Sequence, residues 1–405
     1  MEYWTKYPGP EQLLANAPDF DGNNLPLTNG HLHTPYSFSA FDTVEQAVQL
    51  ASKEGLKAAG INDFNTVNGF EEWGNACSKH GMAPLFNIEM IGLNTEEQAN
   101  DIKVNDPSNP GRTYISGKGL NTGTLPADVS AWLADAVEKN NMHSRAMTDL
   151  LNYHLKNAGA PFILNFNEIL RKLTKGQVRE RHLARAIRLK TEETFTSDKA
   201  RVEFYKIITQ EEITASDPAA IENLLRGALL KAGGPAFIPE DTNSFAGIET
   251  IRELILKAKG VPTYPFLGDA LDGECTDFEK NIETTMKKLK ERGFFSTEFI
   301  TPRNSLQYLE QTTETLWNNG FLVTFGTEHN TPAIEPLIPY AKNGVPLTQK
   351  LKLINTKSIC ILLAHQYLTE KTGHGWLDQN TGKPGYDEKD YFIKIGWTIL
   401  SQHNY

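Results

Sequence analysis

Short apolar runs alternate along this chain with stretches in which apolar residues recur at helical spacing. The runs around His31, Leu56 to Ile61, Ala83 to Ile91, Arg112 to Leu120, Gly260 to Pro265, Phe294 to Ile300 and Phe321 to Phe325 read as strands. Between them, Thr43 to Lys53, Gly69 to His80, Asp277 to Arg292 and Ser305 to Asn318 read as helices. Strand and helix in alternation are the pattern of a parallel α/β barrel. One long interruption breaks it, since Ala127 to Asn157, Asn167 to Lys190 and the charged residues 191–232 are helix-prone throughout. These divide the chain into an N-terminal arm (1–28), a barrel in two pieces (29–126 and 233–332), a helical cap (127–232) and a C-terminal helical extension (333–405). Asn94 to Asn109 is polar and turn-forming, and reads as a loop.

The 405 residues carry a formal charge of -10, and the pI is near 5.6. That balance argues against a nucleic-acid backbone as partner, because phosphate binding needs clustered Lys and Arg. Cys77, Cys275 and Cys360 are odd in number and far apart, which suits reduced thiols in a cytoplasmic protein. No apolar run is long enough to span a bilayer, and the first residues lack the apolar core of a signal peptide. A soluble cytoplasmic protein acting on a small molecule is the expectation. Its oligomeric state is left open.

The candidate chemistry starts at His31 and His33. Two histidines at i and i+2 on a strand point to one face, so both rings can reach one ion. A solvated strand face can carry the same pair for no reason. Glu89 interrupts an apolar strand, and a charge placed there needs a partner, whether water, an arginine or a metal ion. Asp63 closes the second strand.

His31-Leu32-His33-Thr34-Pro35-Tyr36-Ser37 resembles the His-x-His-x-x-x-Ser motif that opens the PHP family, the polymerase-and-histidinol-phosphatase type of metal-dependent phosphoesterases. Asn62-Asp63-Phe64 resembles its Thr-Asp-His, with Phe64 in place of a ligand histidine. The strand holding Glu89 resembles the Gly-Ile-Glu-Ile segment whose glutamate bridges metals. Tyr114 and Tyr264 fall where two further ligand histidines belong, and Gly326-Thr327-Glu328-His329-Asn330 resembles the closing Gly-Ser-Asp-x-His. Within the cap, Arg179-Glu180-Arg181-His182-Leu183-Ala184 resembles the Gly-Arg-Pro-His-Ile-Ala segment of the branch acting on small phosphate esters. The resemblance spans Asn29 to Pro332.

It implies a distorted seven-stranded (β/α) TIM-like barrel with its site at the C-terminal strand ends, formed by His31, Asp63, Glu89, Tyr264 and Glu328. It further implies one retained divalent ion, Zn, Mn or Fe, on His31, His33, Glu89 and Glu328. A second site would need Tyr114 and Tyr264, and a phenol is a poor ligand in place of imidazole. A third would need Phe38, Phe64 and Asn330, so Phe38 and Phe64 are expected to line a pocket wall instead. Asp63, His329 and His182 are the candidates for proton handling. Tyr114, Lys118, Arg145, Arg179, Arg181 and Tyr264 are the candidates for substrate contact. The implied activity is hydrolysis of a small phosphate ester or similar molecule; a non-hydrolytic isomerase or lyase on a sugar-like acid and an inactive binding protein are the alternatives.

Overall fold

The structure, a computed structural model, describes residues 3–15, 17–213, 217–241 and 244–402. Helix α1 (Pro10–Ala15) precedes two consecutive βαβ units: β1 (Leu27–Leu32), α2 (Val44–Lys53), β2 (Leu56–Phe64), α3 (Phe70–Lys79) and β3 (Ala83–Leu93). A short α4 (Thr95–Ala99) and β4 (Arg112–Lys118) lead to a run of helices. These are α5 (Ala127–Asn157), α6 (Phe166–Leu173), α7 (Glu180–Thr194), α8 (Asp198–Thr209) and α9 (Pro218–Leu230). The chain returns through α10 (Ile248–Lys257), β5 (Val261–Phe266), α11 (Ile282–Glu291), β6 (Ser296–Ile300), α12 (Leu306–Asn318) and β7 (Leu322–Gly326). Two long helices, α13 (Gln349–Thr372) and α14 (Lys389–Gln402), finish it.

The seven strands form one sheet in sequence order, curled almost into a barrel. Every pairing is parallel except those of β4, which runs antiparallel to both β3 and β5. The exception to an all-parallel barrel has a local cause. Only α4 lies between β3 and β4, too short to serve as a crossover helix over the sheet, and the strand turns back beside its predecessor.

Strands β1 and β7 close the barrel at one point. The Glu328 N–H donates to the His31 carbonyl at 3.0 Å, and the His33 N–H donates to the Glu328 carbonyl at 2.8 Å. Elsewhere along this seam the backbone donors of β7 turn to α13. Phe325 N–H reaches Asn355 Oδ1 at 2.9 Å and Val323 N–H reaches Ser358 Oγ at 3.0 Å. Asn355 Nδ2 also donates to Thr28 Oγ1 on β1, so one side chain bridges both edges. Gly326 is required here, because a Cβ at that position would collide with the Cβ of His31.

Apolar residues pack between the sheet and its outer helices, in a core that includes Trp73, Phe86, Leu289 and Phe299. The barrel interior is polar instead. His31, Asn62, Asn87, Ser116, Lys118 and Glu298, drawn from the strands or their ends, are all buried, and hydrogen bonds link them to one another or to the neighbouring backbone. A second apolar core, with Leu151, Leu183, Ile187, Phe204 and Leu225, joins α5 to α9 above the strand ends. The stretch expected as one helix over 167–190 is two, α6 and α7, because residues 174–179 are not helical and Gly176 has φ +125.

Candidate metal centre

His31 and His33 leave the end of β1 on the same side, as alternation along a strand requires. Glu89 projects from β3, and Glu328 from the turn after β7. One ligating atom from each of these four buried residues lies within 4.8 Å of the others. The closure of the β1–β7 seam therefore also assembles this cluster, since His31, His33 and Glu328 are the residues that exchange the closing hydrogen bonds. Glu328 and His329 both have positive φ, +72 and +58. Two consecutive non-glycine residues in that region cost roughly 1 kcal/mol each, and the result is a turn that delivers the Glu328 carboxylate to the barrel mouth.

The hydrogen bonds on the far ring nitrogens determine what these groups present. The His31 Nδ1 lies 3.0 Å from Glu298 Oε2. The His33 Nδ1 lies 3.0 Å from Ser37 Oγ, whose own proton goes to Asp63. Both Nδ1 atoms thus face acceptors, which leaves the two Nε2 lone pairs aimed at the cluster. Burial, with Arg179 adding to it at His33, lowers both imidazole pKa values, so both rings are neutral. Glu89 Oε2 lies 3.2 Å from His33 Nε2 and 3.8 Å from His31 Nε2, yet no hydrogen bond reaches it. Burial raises its pKa to about 7. Convergent lone pairs around an unpartnered buried carboxylate oxygen suit a divalent cation, and two imidazoles with two carboxylates are a donor set for one.

Glu328 is held by Arg303, which donates to Oε2, and by Asn330, which donates to Oε1 at 2.8 Å. Asn330 therefore orients a ligand candidate. Phe64 stacks on the His33 ring at 5.0 Å, and the Arg179 guanidinium lies 4.1 Å over Phe64. Phe38 packs against His182 and receives Arg185 on its face. These aromatic rings form the wall between the cluster and the cap.

The other candidates named from the sequence divide between the surroundings of the cluster and positions remote from it. Asp63 is saturated by Thr34 N–H, Thr34 Oγ1 and Ser37 Oγ, and burial raises its pKa to about 6. It orients His33 through Ser37 and has no oxygen facing the mouth to move a proton. His329 turns away from the cluster and stacks on Phe41; its Nδ1 meets Thr327 Oγ1 and its Nε2 meets the Glu335 carbonyl. His182 accepts the Arg179 N–H on Nδ1 at the start of α7, and burial lowers its pKa to about 3. Tyr264 does not converge with the other four residues expected at the strand ends. Its hydroxyl donates to Glu279 at 2.8 Å, and its ring packs with Phe266 and Phe278 in the helix layer, because successive strand residues face opposite sides and Thr263 takes the inward position. Tyr114 accepts from Arg112. Lys118 is buried below the cluster and not at the mouth. Arg145 lies exposed on α5 with Asn167 and Phe166. Arg181 donates to Asn223 within the cap, with its guanidinium 5.8 Å from the Phe38 ring.

Sequence reasoning missed Glu298. It stands inside the apolar run Phe294 to Ile300, the same signal that singled out Glu89. Burial works against its charge, but Lys118 and His31 outweigh it and hold the carboxyl well below the ordinary range.

Comparison with known proteins agrees with this architecture. The fold is similar to that of a protein from Bifidobacterium adolescentis assigned provisionally as a metal-dependent phosphoesterase, with 15% identity, a TM-score of 0.51, and 82% of this chain and 96% of that one covered. An amidohydrolase from Chromobacterium violaceum, solved with sulfate and no metal, aligns at 15% identity and a TM-score of 0.47 over 81% and 96% of the two chains. No curated protein matches the sequence significantly. Residues 29–116, which include His31, His33, Asp63 and Glu89, match the model of the PHP domain.

Proposed function

We propose that the protein is a metal-dependent hydrolase that holds one divalent ion on His31, His33, Glu89 and Glu328 and acts on a small anionic ester. The observation that carries this reading is the unpartnered Glu89 Oε2, buried among three other ligating groups. Zn, Mn or Fe suits the donor set, and such an ion when bound acidifies its water and polarises the scissile bond.

The chain's own residues supply orientation and selectivity. Arg179 lies against Phe64 beside the cluster and has no carboxylate within ion-pair distance among the described residues. A guanidinium in that position can take a phosphate or carboxylate in bidentate fashion. Phe64 and Phe38 keep the wall dry and apolar, which strengthens that contact. The phosphate ester is the favoured substrate class because its spread negative charge matches an ion and a guanidinium together.

Metal content after incubation with Zn, Mn or Fe, measured by mass spectrometry on desalted protein, tests the reading. One ion per chain is expected, and His31→Ala with His33→Ala abolishes both uptake and hydrolysis of a phosphomonoester panel. Full hydrolytic activity in the metal-free double variant would place the chemistry elsewhere. Metal uptake without turnover on any ester would make the protein a binder.

A further inference from the structure

Below the candidate centre the barrel holds an ion pair cut off from water. Lys118 Nζ lies 2.6 Å from Glu298 Oε2, and neither side chain is more than 1% exposed. A pair desolvated to this degree gains little over apolar residues of the same volume. Stability alone does not explain it. The remaining contacts of the two residues point to a local purpose. Glu298 Oε1 accepts from the Ser116 hydroxyl, and Oε2 faces His31 Nδ1 at 3.0 Å. Lys118 spends its other protons on the Gly30 carbonyl and on Asn62 Oδ1, both at 3.1 Å.

We propose that Glu298 is the positioning residue of His31 and that Lys118 fixes Glu298 in that role. The carboxylate receives the Nδ1–H and so selects the tautomer whose Nε2 lone pair faces His33, Glu89 and Glu328. Asn62 packs against the ring without distinguishing its two nitrogens. With its Oδ1 committed to Lys118, its Nδ2 lies over the ring, 3.2 Å from Nδ1 and 3.1 Å from Nε2, and donates to Ser116 Oγ. Lys118 has a second consequence. Because Ser116, Lys118 and His31 occupy both oxygens of Glu298, this carboxylate stays an acceptor and does not join the ligand set, although it stands next to a ligand. Outer hydrogen bonds of this kind commonly govern metal affinity by about 10- to 100-fold.

The inference rests on the proposed metal centre, and its test separates the two. Nitrogen-15 NMR of the histidine rings in metal-free protein reports the tautomer of His31 without any ion. In the parent the proton should sit on Nδ1. In the paired change Lys118→Met with Glu298→Leu, which keeps the volume and strands no lysine charge, the Nδ1–H loses its acceptor, so the preference for Nδ1 should be lost. Metal affinity should then fall about 10- to 100-fold by chelator competition, while the His33 tautomer, fixed through Ser37, stays as it is. If that variant does not fold, Lys118→Met with Glu298→Met releases the tautomer with a more adaptable side chain and should lower affinity in the same range. A parent with the proton on Nε2, or a Lys118→Met, Glu298→Leu protein with unchanged tautomer and affinity, overturns the proposal. A parent that takes up no metal refutes the proposed centre, and the tautomer alone then decides the role of Glu298.

Discussion

At the scale of single residues, the cluster is a balance of charges already partly spent. Glu298 is matched by Lys118 and Glu328 by Arg303, which leaves Glu89 as the carboxylate without a cation. Arg303 is exposed and competes with an ion for Glu328, so its removal should help binding. With the guanidinium solvated and Glu328 buried, the pair contributes on the order of 1 kcal/mol, and Arg303→Met should tighten metal binding by up to about fivefold in calorimetry. A weaker affinity would mean that Arg303 holds Glu328 in place. Glu279 offers a separate test away from the cluster. It receives Tyr264, Leu267 and Gly268, yet burial raises its pKa from 4.5 to about 7. A carboxyl raised in the folded state favours folding below its unfolded pKa, and that contribution is lost as pH rises through about 7. The loss is on the order of 3 kcal/mol between pH 4.5 and 7. Glu279→Gln should flatten thermal stability over that window; an unchanged slope would assign the effect to other groups. Residues of this kind differ in how plainly the sequence marks them. His31, His33 and Glu89 announce themselves by spacing or by a charge in an apolar strand. Tyr264 escapes such reading because a one-residue shift along a strand reverses its face, and motif alignment does not resolve that. His329 escapes it because two left-handed residues in a row turn its ring to Phe41, and nothing local in Thr-Glu-His-Asn fixes such a turn.

At the scale of elements, the strands and most barrel helices follow from apolar spacing, while two features depend on more than that spacing. The first is α13, legible as a helix but not as a part of the barrel wall. Its Asn355 and Ser358 satisfy backbone donors of β7 some thirty residues away, which no periodicity encodes. Asn355→Ala leaves the Phe325 N–H and Thr28 hydroxyl without their partner inside the seam. Leaving a buried donor unpaired costs about 1–3 kcal/mol, and the thermal midpoint should drop accordingly, with metal uptake also weakened because the same seam carries His31 and Glu328. A loss of stability confined to the α13–α14 pair, with metal affinity intact, would separate the seam from the site. The second is the break between α6 and α7. Gly176 marks it, but the helical spacing on both sides hides it. The break matters to the site, since the non-helical residues 177–179 carry Gln177 and Arg179 toward its wall.

At the scale of the molecule, two apolar cores face each other across the strand ends, and Gln177 is a direct tie between them. Its Nε2 donates to the Phe64 carbonyl at 2.7 Å and to the Tyr36 carbonyl at 2.9 Å, while its own oxygen remains unpartnered. The two carbonyls belong to the histidine motif and to the end of the second strand. This amide anchors the segment that carries Arg179, whose guanidinium lies 4.1 Å over Phe64. In the proposed function the tasks are separate, with the barrel supplying the four ligating groups and Arg179, from the helices above, proposed as the cation for an anionic substrate. Gln177→Ala should then leave metal stoichiometry and affinity unchanged, since no ligand contacts Gln177. It should raise KM for an anionic ester about tenfold, the effect of weakening one charged contact by about 1.4 kcal/mol, with a smaller change in kcat. Arg179→Met should produce a similar or larger rise, and the double variant should show less than the sum of the two, because both changes act on one contact. Additive effects would mean that Gln177 acts on the site by a route other than Arg179, and a parallel loss of metal would mean that the helical layer helps to hold the barrel mouth itself in shape.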